Sequence, residues 1–182
     1  MTFHPFFHDM DPHEIECKKR LAIWFTQHFI SDKRYEGCVS ISCGSGFFEV
    51  YMLDELSPGF FKAFYIVEDP EMSDCERKQI RDNFLPRSVI HLNGSDGVLA
   101  DILTNHARWL VIGINMNFYN EWDFRREFSE CVSDRTDYFF VWCPYFHDTC
   151  HVITNRTDID WNDFPFHVQI DHNIWKYPFF EG

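Results

Sequence analysis

At 182 residues the chain has the length of one domain with a continuous core. A hydrophobic share of 45% against a charged share of 25% fits a soluble globular protein and excludes a low-complexity or fibrous chain. The formal net charge of −13 repels phosphate backbones and anionic lipid, which argues against general nucleic-acid or membrane affinity.

Residues 1–10 carry no periodicity and are expected to be irregular. Asp11-Pro12-His13-Glu14 reads as a helix start, with Asp at the cap, Pro at the first helical position and Glu three residues after the cap. Cys17, Leu21, Phe25 and Phe29 then recur at i+4, so this helix is predicted to run to about Ile30. Cys38–Ser42 is a short β-prone run that stops at Cys43-Gly44-Ser45-Gly46, and Phe47–Leu56 is helical. Phe64–Val67 is a second strand, closed by Glu68-Asp69-Pro70. Ser73-Asp74-Cys75-Glu76 is a capping box for a helix that buries Ile80 and Phe84. Val89–Leu92 is a third strand, and Val98 to His106 a third connecting helix. Trp109–Ile114 is the most hydrophobic run, as expected of a central strand buried on both faces. Asn120–Val132 is helical again, and Tyr138–Cys143 is a fifth strand. After Pro144 the alternation ends: His151–Thr154 and His167–Ile170 read as strands with no helical pattern between them.

Five strands each joined by a helix imply an α/β domain over 1–182, a three-layer sandwich around a mainly parallel sheet. The expected strand order is 3-2-1-4-5, with an antiparallel C-terminal strand pair. The aromatic content, 21 Phe with six Trp and seven Tyr, calls for a large packed core or an aromatic-lined pocket. The seven Cys are odd in number, contain no Cys-x-x-Cys and follow no leader-like segment. They are therefore expected to be free thiols in a reducing, cytoplasmic compartment. No apolar stretch approaches the roughly 20 residues of a membrane span.

In such sheets ligands bind at the carboxyl ends of the strands, near the point where strand order reverses. The turn after the first strand, Ser40-Ile41-Ser42-Cys43-Gly44-Ser45-Gly46, is therefore the first place to look. Gly44 and Gly46 permit positive φ and leave no Cβ in the way of a ligand, and a helix N-terminus opens just after them. This segment resembles the first motif of class I S-adenosylmethionine (SAM)-dependent methyltransferases, acid-x-Gly-x-Gly-x-Gly. Serine replaces the acid at Ser40 and the first glycine at Ser42. The resemblance implies SAM as cofactor. Ser40, Cys43, Gly44 and Gly46 would contact it from the first turn. Glu68 or Asp69 would hold the ribose hydroxyls, Asp96 would lie near the adenine, and Asn115 would follow the fourth strand. It also implies a methyl acceptor, a small molecule or a protein side chain, met by residues after that strand. Asn117 would orient the nucleophile, Tyr119 and Trp122 would stack on a planar substrate, and Asp123 would act as base.

Two rivals are set beside this reading. A dinucleotide-binding fingerprint needs a small residue at position 49, where the chain has Glu49. A methyltransferase-like domain without catalysis, working as a protein-interaction module, accords with Ser40 and Ser42. His147-Asp148-Thr149-Cys150-His151 holds metal-ligand residue types, but nothing pairs it with a second ligand cluster, and no metal is expected.

Overall fold

The computed structural model describes residues 12–31, 35–41, 46–68, 72–94, 98–103, 108–114, 128, 130, 132–142 and 149–172. Its strands are β1 (Gly37–Ile41), β2 (Ala63–Glu68), β3 (Ile90–Asn93), β4 (Trp109–Ile114), β5 (Thr136–Trp142), β6 (Cys150–Thr154) and β7 (Val168–Asp171). They form one sheet in the order β3-β2-β1-β4-β5-β6-β7. Neighbours from β3 to β5 are all parallel, and β6 pairs antiparallel with β5. The expected order 3-2-1-4-5 and the antiparallel C-terminal edge are both present. With no helical pattern between the last two strands, the sequence reading expects an antiparallel tail; β6 does run antiparallel to β5, but β7 runs parallel to β6.

That arrangement needs a crossover, and residues 155–167 provide it with side chains that pack. Trp161 stacks on Trp24 at 5.2 Å between ring centroids, and Phe164 meets the same indole edge-on at 4.7 Å. Arg156, buried, donates to the carbonyl of Phe29 and forks onto Asp158 at 2.9 and 2.7 Å.

The helices are α1 (Pro12–Trp24), α2 (Phe47–Glu55), α3 (Asp74–Phe84) and α4 (Val98–Leu103). The first three share one core layer with the β1, β2 and β4 side chains Cys38, Phe64, Ile66, Leu110 and Ile112. Leu99, Ile102 and Leu103 of α4 and Phe128 pack the opposite face on Val39, Val67 and Val111. Every residue of β1 and β4 is buried, the signature of central strands covered on both sides. Phe25, Phe29, Phe48, Phe84, Phe128, Phe139 and Phe140 are among the largest fully buried side chains, so much of the aromatic excess is core.

Two local features complete the frame. The stripe Cys17, Leu21, Phe25, Phe29 is buried throughout, but α1 gives way to a π-helical turn over Phe25–Phe29, closed by Ile30 N–H donating to the Phe25 carbonyl at 3.2 Å. Half of the expected Ser73 capping box forms: Ser73 Oγ accepts from the Glu76 N–H at 3.2 Å, and Glu76 Oε1 accepts from the Ser73 hydroxyl at 3.1 Å.

The amino-terminal end of the sheet is closed by a polar clamp. Asp137, the second residue of β5, is buried and accepts from the Tyr35 hydroxyl at 2.7 Å and from Arg108 Nη1 at 3.3 Å. Burial, with the Asp137 carboxylate beside it, pushes the Tyr35 phenol well above its ordinary range. Among the described residues Cys17, Cys38, Cys75 and Cys150 are free thiols, and no helix is long and apolar enough to cross a membrane.

Candidate functional site

The strand order turns between β1 and β4: β2 and β3 lie to one side of β1, β4 and β5 to the other. Parallel pairing sets Ile41 beside Val67, so the chain leaves β1 and β2 at the same level of the sheet, on strands about 4.8 Å apart. The first turn and the acid of the second strand are thereby neighbours in space although more than twenty positions separate them in sequence.

Gly46 is the N-cap of α2 and has φ +79, a left-handed conformation that L side chains rarely adopt. A Cβ built there would sit 2.6 Å from Cε2 of Phe84. Glycine at this position is thus required by the helix start and by the α3 ring packed against it. This is a reason the sequence reading, which placed a ligand there, did not contain.

Ser40 is fully buried in β1, on the face that carries Cys38 and receives α2. Its hydroxyl donates to Glu49 Oε1 at 3.2 Å. Glu49 lies in the first turn of α2, is itself fully buried, and its Oε2 has no hydrogen-bond partner among the described residues. Burial pushes the Glu49 carboxyl up to about 7, against the smaller lowering influences of its own backbone N–H, Lys18 and the Ser40 hydroxyl. Glu49 also acts on its neighbour: burial first, then the Glu49 charge, raises the Cys38 thiol well above its ordinary range. Residue 40, where the resemblance expects an acid, is thus bonded to a carboxyl from the first turn of α2.

Glu68 ends β2 on the same face as Phe64 and Ile66, 3% exposed. Its carboxylate is not open. Arg81 of α3 donates from Nε to Oε2 at 3.0 Å and from Nη2 to Oε1 at 2.6 Å, a bidentate fork. His91 of β3 places Nδ1 3.3 Å from Oε2, and burial lowers the His91 pKa against the raising influence of Glu68. The His91 ring meets Phe84 edge-on at 5.8 Å. Phe84 thus links the two halves of the site, with Gly46 on one side and the His91–Glu68–Arg81 group on the other.

Of the sequence-predicted contacts, Ser40, Gly46 and Glu68 are brought to the carboxyl end of adjacent strands. Cys43, Gly44, Asp69, Asp96, Asn115, Asn117, Tyr119, Trp122 and Asp123 lie outside the described residues. His147 and Asp148 do too, whereas Cys150 and His151 are adjacent in β6 and point to opposite faces of the sheet, so they do not share a ligand position. No group of three metal-ligating side chains occurs among the described residues. Sequence reading missed Arg81 and His91, and took Glu49 only as a bar to a pyrophosphate. The available signal for Glu49 was its helical phase: it shares the buried side of α2 with Phe48 and Met52.

No protein-family model and no curated protein matches the chain. Solved structures do. An N,N-8-amino-8-demethyl-D-riboflavin dimethyltransferase from Streptomyces davawensis matches at TM-score 0.48 and 15% identity, over 77% of this chain and 44% of its own. The O-methyltransferase TomG from Streptomyces achromogenes, solved with SAM, matches at 0.45 and 10%, over 76% and 60%. The methyltransferase PaMTH1 from Podospora anserina, solved with S-adenosylhomocysteine (SAH), matches at 0.43 and 11%, over 69% and 61%. The chain thus spans about three-fifths or less of the length of these structures. Identities this low speak to fold alone, and the ground for the Rossmann-like fold is the chain's own order β3-β2-β1-β4-β5.

Proposed function

We propose that the chain is a SAM-dependent methyltransferase acting on a small molecule or a protein side chain. The observation that carries this reading is the left-handed Gly46 at the start of α2, with the buried Glu49 carboxyl three residues on and bonded to Ser40 of β1, the strand at the reversal of strand order. A helix start with a buried carboxyl in its first turn suits a cationic, phosphate-free ligand better than a pyrophosphate. SAM supplies a methyl group on a sulfonium, so the protein's work is binding and alignment.

In this reading Gly44 and Gly46 let the ligand approach the backbone. The Arg81 fork on Glu68 leaves Asp69 as the better candidate for the ribose hydroxyls. Asp96 takes the adenine, and Cys43 and Asn115 complete the cofactor contacts. The acceptor meets Asn117, Tyr119 and Asp123, with Asp123 the base. In this reading the protein works in a reducing, cytoplasmic compartment, and thiol counting under denaturing, non-reducing conditions should find all seven Cys reduced.

One observation favours a second reading, a methyltransferase-like domain that binds a partner and performs no chemistry: the carboxylate of Glu68 is already neutralised by Arg81. Calorimetric titration with SAM and SAH separates the two. Binding of both is expected, with loss on Gly44→Val, which sets a branched side chain in the glycine turn. Asp69→Ala is expected to weaken binding by about 1–3 kcal/mol through the lost ribose hydrogen bonds. Absence of heat at millimolar SAM would leave the interaction module as the better reading.

A further inference from the structure

We infer that Glu49, three residues past Gly46, is an anionic subsite: its Oε2 receives the ammonium of an amino-acid-bearing nucleoside, a role that Ser40 cannot fill. The inference deepens the proposed function and rests on it.

Three observations carry it. First, Glu49 is fully buried, yet only one of its oxygens is bonded; Oε2 has no partner among the described residues. A buried carboxylate oxygen left bare is costly, and one that persists beside a ligand turn is a waiting acceptor. Second, its position is fixed from two sides. Residue 49 sits three positions past Gly46 in the first turn of α2, and the Ser40 hydroxyl, near the carboxyl end of β1, holds Oε1 at 3.2 Å. Ser40 is a positioning residue here: it orients the carboxylate and leaves Oε2 free. Third, no countercharge is bonded to it. Lys18 of α1 lowers its pKa through its charge, and Cys38 of β1, on which the Glu49 charge acts, has its thiol pKa raised first by burial. A cation arriving at Oε2 would supply the missing partner and favour the ionised carboxyl.

Ligand binding and Glu49 ionisation are then linked. The carboxyl titrates near 7, so a cationic ligand binds the deprotonated form and expels a proton when it binds below that pH. Neutral ligands lacking the ammonium feel none of this.

The test compares wild-type protein with Glu49→Gln, which keeps the side chain's shape and removes only its charge. SAH, carrying the ammonium without the sulfonium, and 5′-methylthioadenosine, carrying neither, are titrated calorimetrically near pH 6 and pH 8. Each titration is run in two buffers of different ionisation enthalpy. Wild-type protein is expected to bind SAH about tenfold more tightly near pH 8 than near pH 6, with net proton release near pH 6. Glu49→Gln should lose both the pH dependence and about tenfold in affinity near pH 8, with methylthioadenosine binding unchanged. Equal SAH affinity and proton release in the two proteins would overturn the Glu49 assignment while leaving the cofactor reading intact. Equal weakening of both ligands by Glu49→Gln would overturn it too, because the residue would then act through the fold. If neither nucleoside binds wild-type protein, the proposed function falls and takes this inference with it.

Discussion

Buried carboxylates stand at both ends of the parallel sheet, Asp137 at one and Glu49 with the Arg81-paired Glu68 at the other, and Asp137 and Glu49 are treated differently. At the amino-terminal end Asp137 is closed in by a phenol and a guanidinium, with bonds of 2.7 and 3.3 Å. At the carboxyl end Glu49 receives a single hydroxyl, and one oxygen is left without a partner. A satisfied buried carboxylate stabilises the fold by tying distant segments together. An unsatisfied one costs stability, and proteins keep such costs where a ligand is bound. The proposed function sets a ligand-binding role for Glu49 beside a structural role for Asp137, in keeping with ligand sites at the carboxyl ends of parallel strands.

The largest effect is expected from Asp137→Ala. It strips the Tyr35 hydroxyl of its buried acceptor and frees Arg108, whose exposed half can rehydrate. The loss should be about 3 kcal/mol, read as a lower urea midpoint at every pH in the neutral range. A change under about 1 kcal/mol would show that the clamp contributes little, and the contrast between the ends would collapse.

Glu49→Gln should have the opposite sign. Because the folded-state pKa of Glu49 is raised to about 7, the native protein holds its proton more tightly than the unfolded chain. The wild type therefore loses stability as pH climbs from the unfolded carboxyl range to about 7, and the penalty is constant above that. Replacing the acid by Gln removes the penalty: a gain of about 3 kcal/mol near pH 8 and less than about 1 kcal/mol near pH 5. Paired urea titrations at the two pH values check it. Destabilisation at both would show that the carboxylate is structural after all.

Arg81→Ala should cost less, about 1–2 kcal/mol, since half of that side chain already faces water. Its sharper readout is His91. Arg81 lowers the His91 pKa and Glu68 raises it, so removing the guanidinium should move the imidazole titration upward in a histidine NMR series. No movement would show that the Arg81 charge does not act on His91.

These four residues show where sequence reading ends. The sheet order followed from hydrophobic runs and turn residues, because strand–helix alternation is a local signal; Trp109–Ile114 is read with its observed bounds. The helix start at Gly46-Phe47 was equally visible. The Tyr35–Asp137 bond spans 102 positions and carries no periodic trace. The Ser40–Glu49 bond joins a strand to the next helix, and each partner looks ordinary alone. The π turn at Phe25–Phe29 keeps the same apolar stripe as an α turn, so spacing does not distinguish them. The parallel β6–β7 pair is decided by the packing of residues 155–167 on Trp24, a tertiary contact. Ser40, Gly46 and Glu68 were named from the motif, but what each touches was not.

The smallest predicted effect separates a hydrogen bond to a charge from one to a neutral acid. Ser40 donates to Glu49 Oε1, and that bond lowers the Glu49 pKa, so it favours the ionised carboxyl over the protonated one. Ser40→Ala removes the donor with little change in volume. Near pH 8, where Glu49 is ionised, the carboxylate would be left with no hydroxyl partner, and stability should fall by about 1–2 kcal/mol. Near pH 5 the carboxyl is protonated and can act as donor itself, so the loss should shrink to a few tenths of a kcal/mol, about the size of a neutral bond re-formed elsewhere. In the Glu49→Gln background the same substitution should show no pH dependence. A loss of equal size at both pH values in the wild-type background would mean that Ser40 contributes through packing in β1, and that the hydroxyl does not set the carboxylate in place.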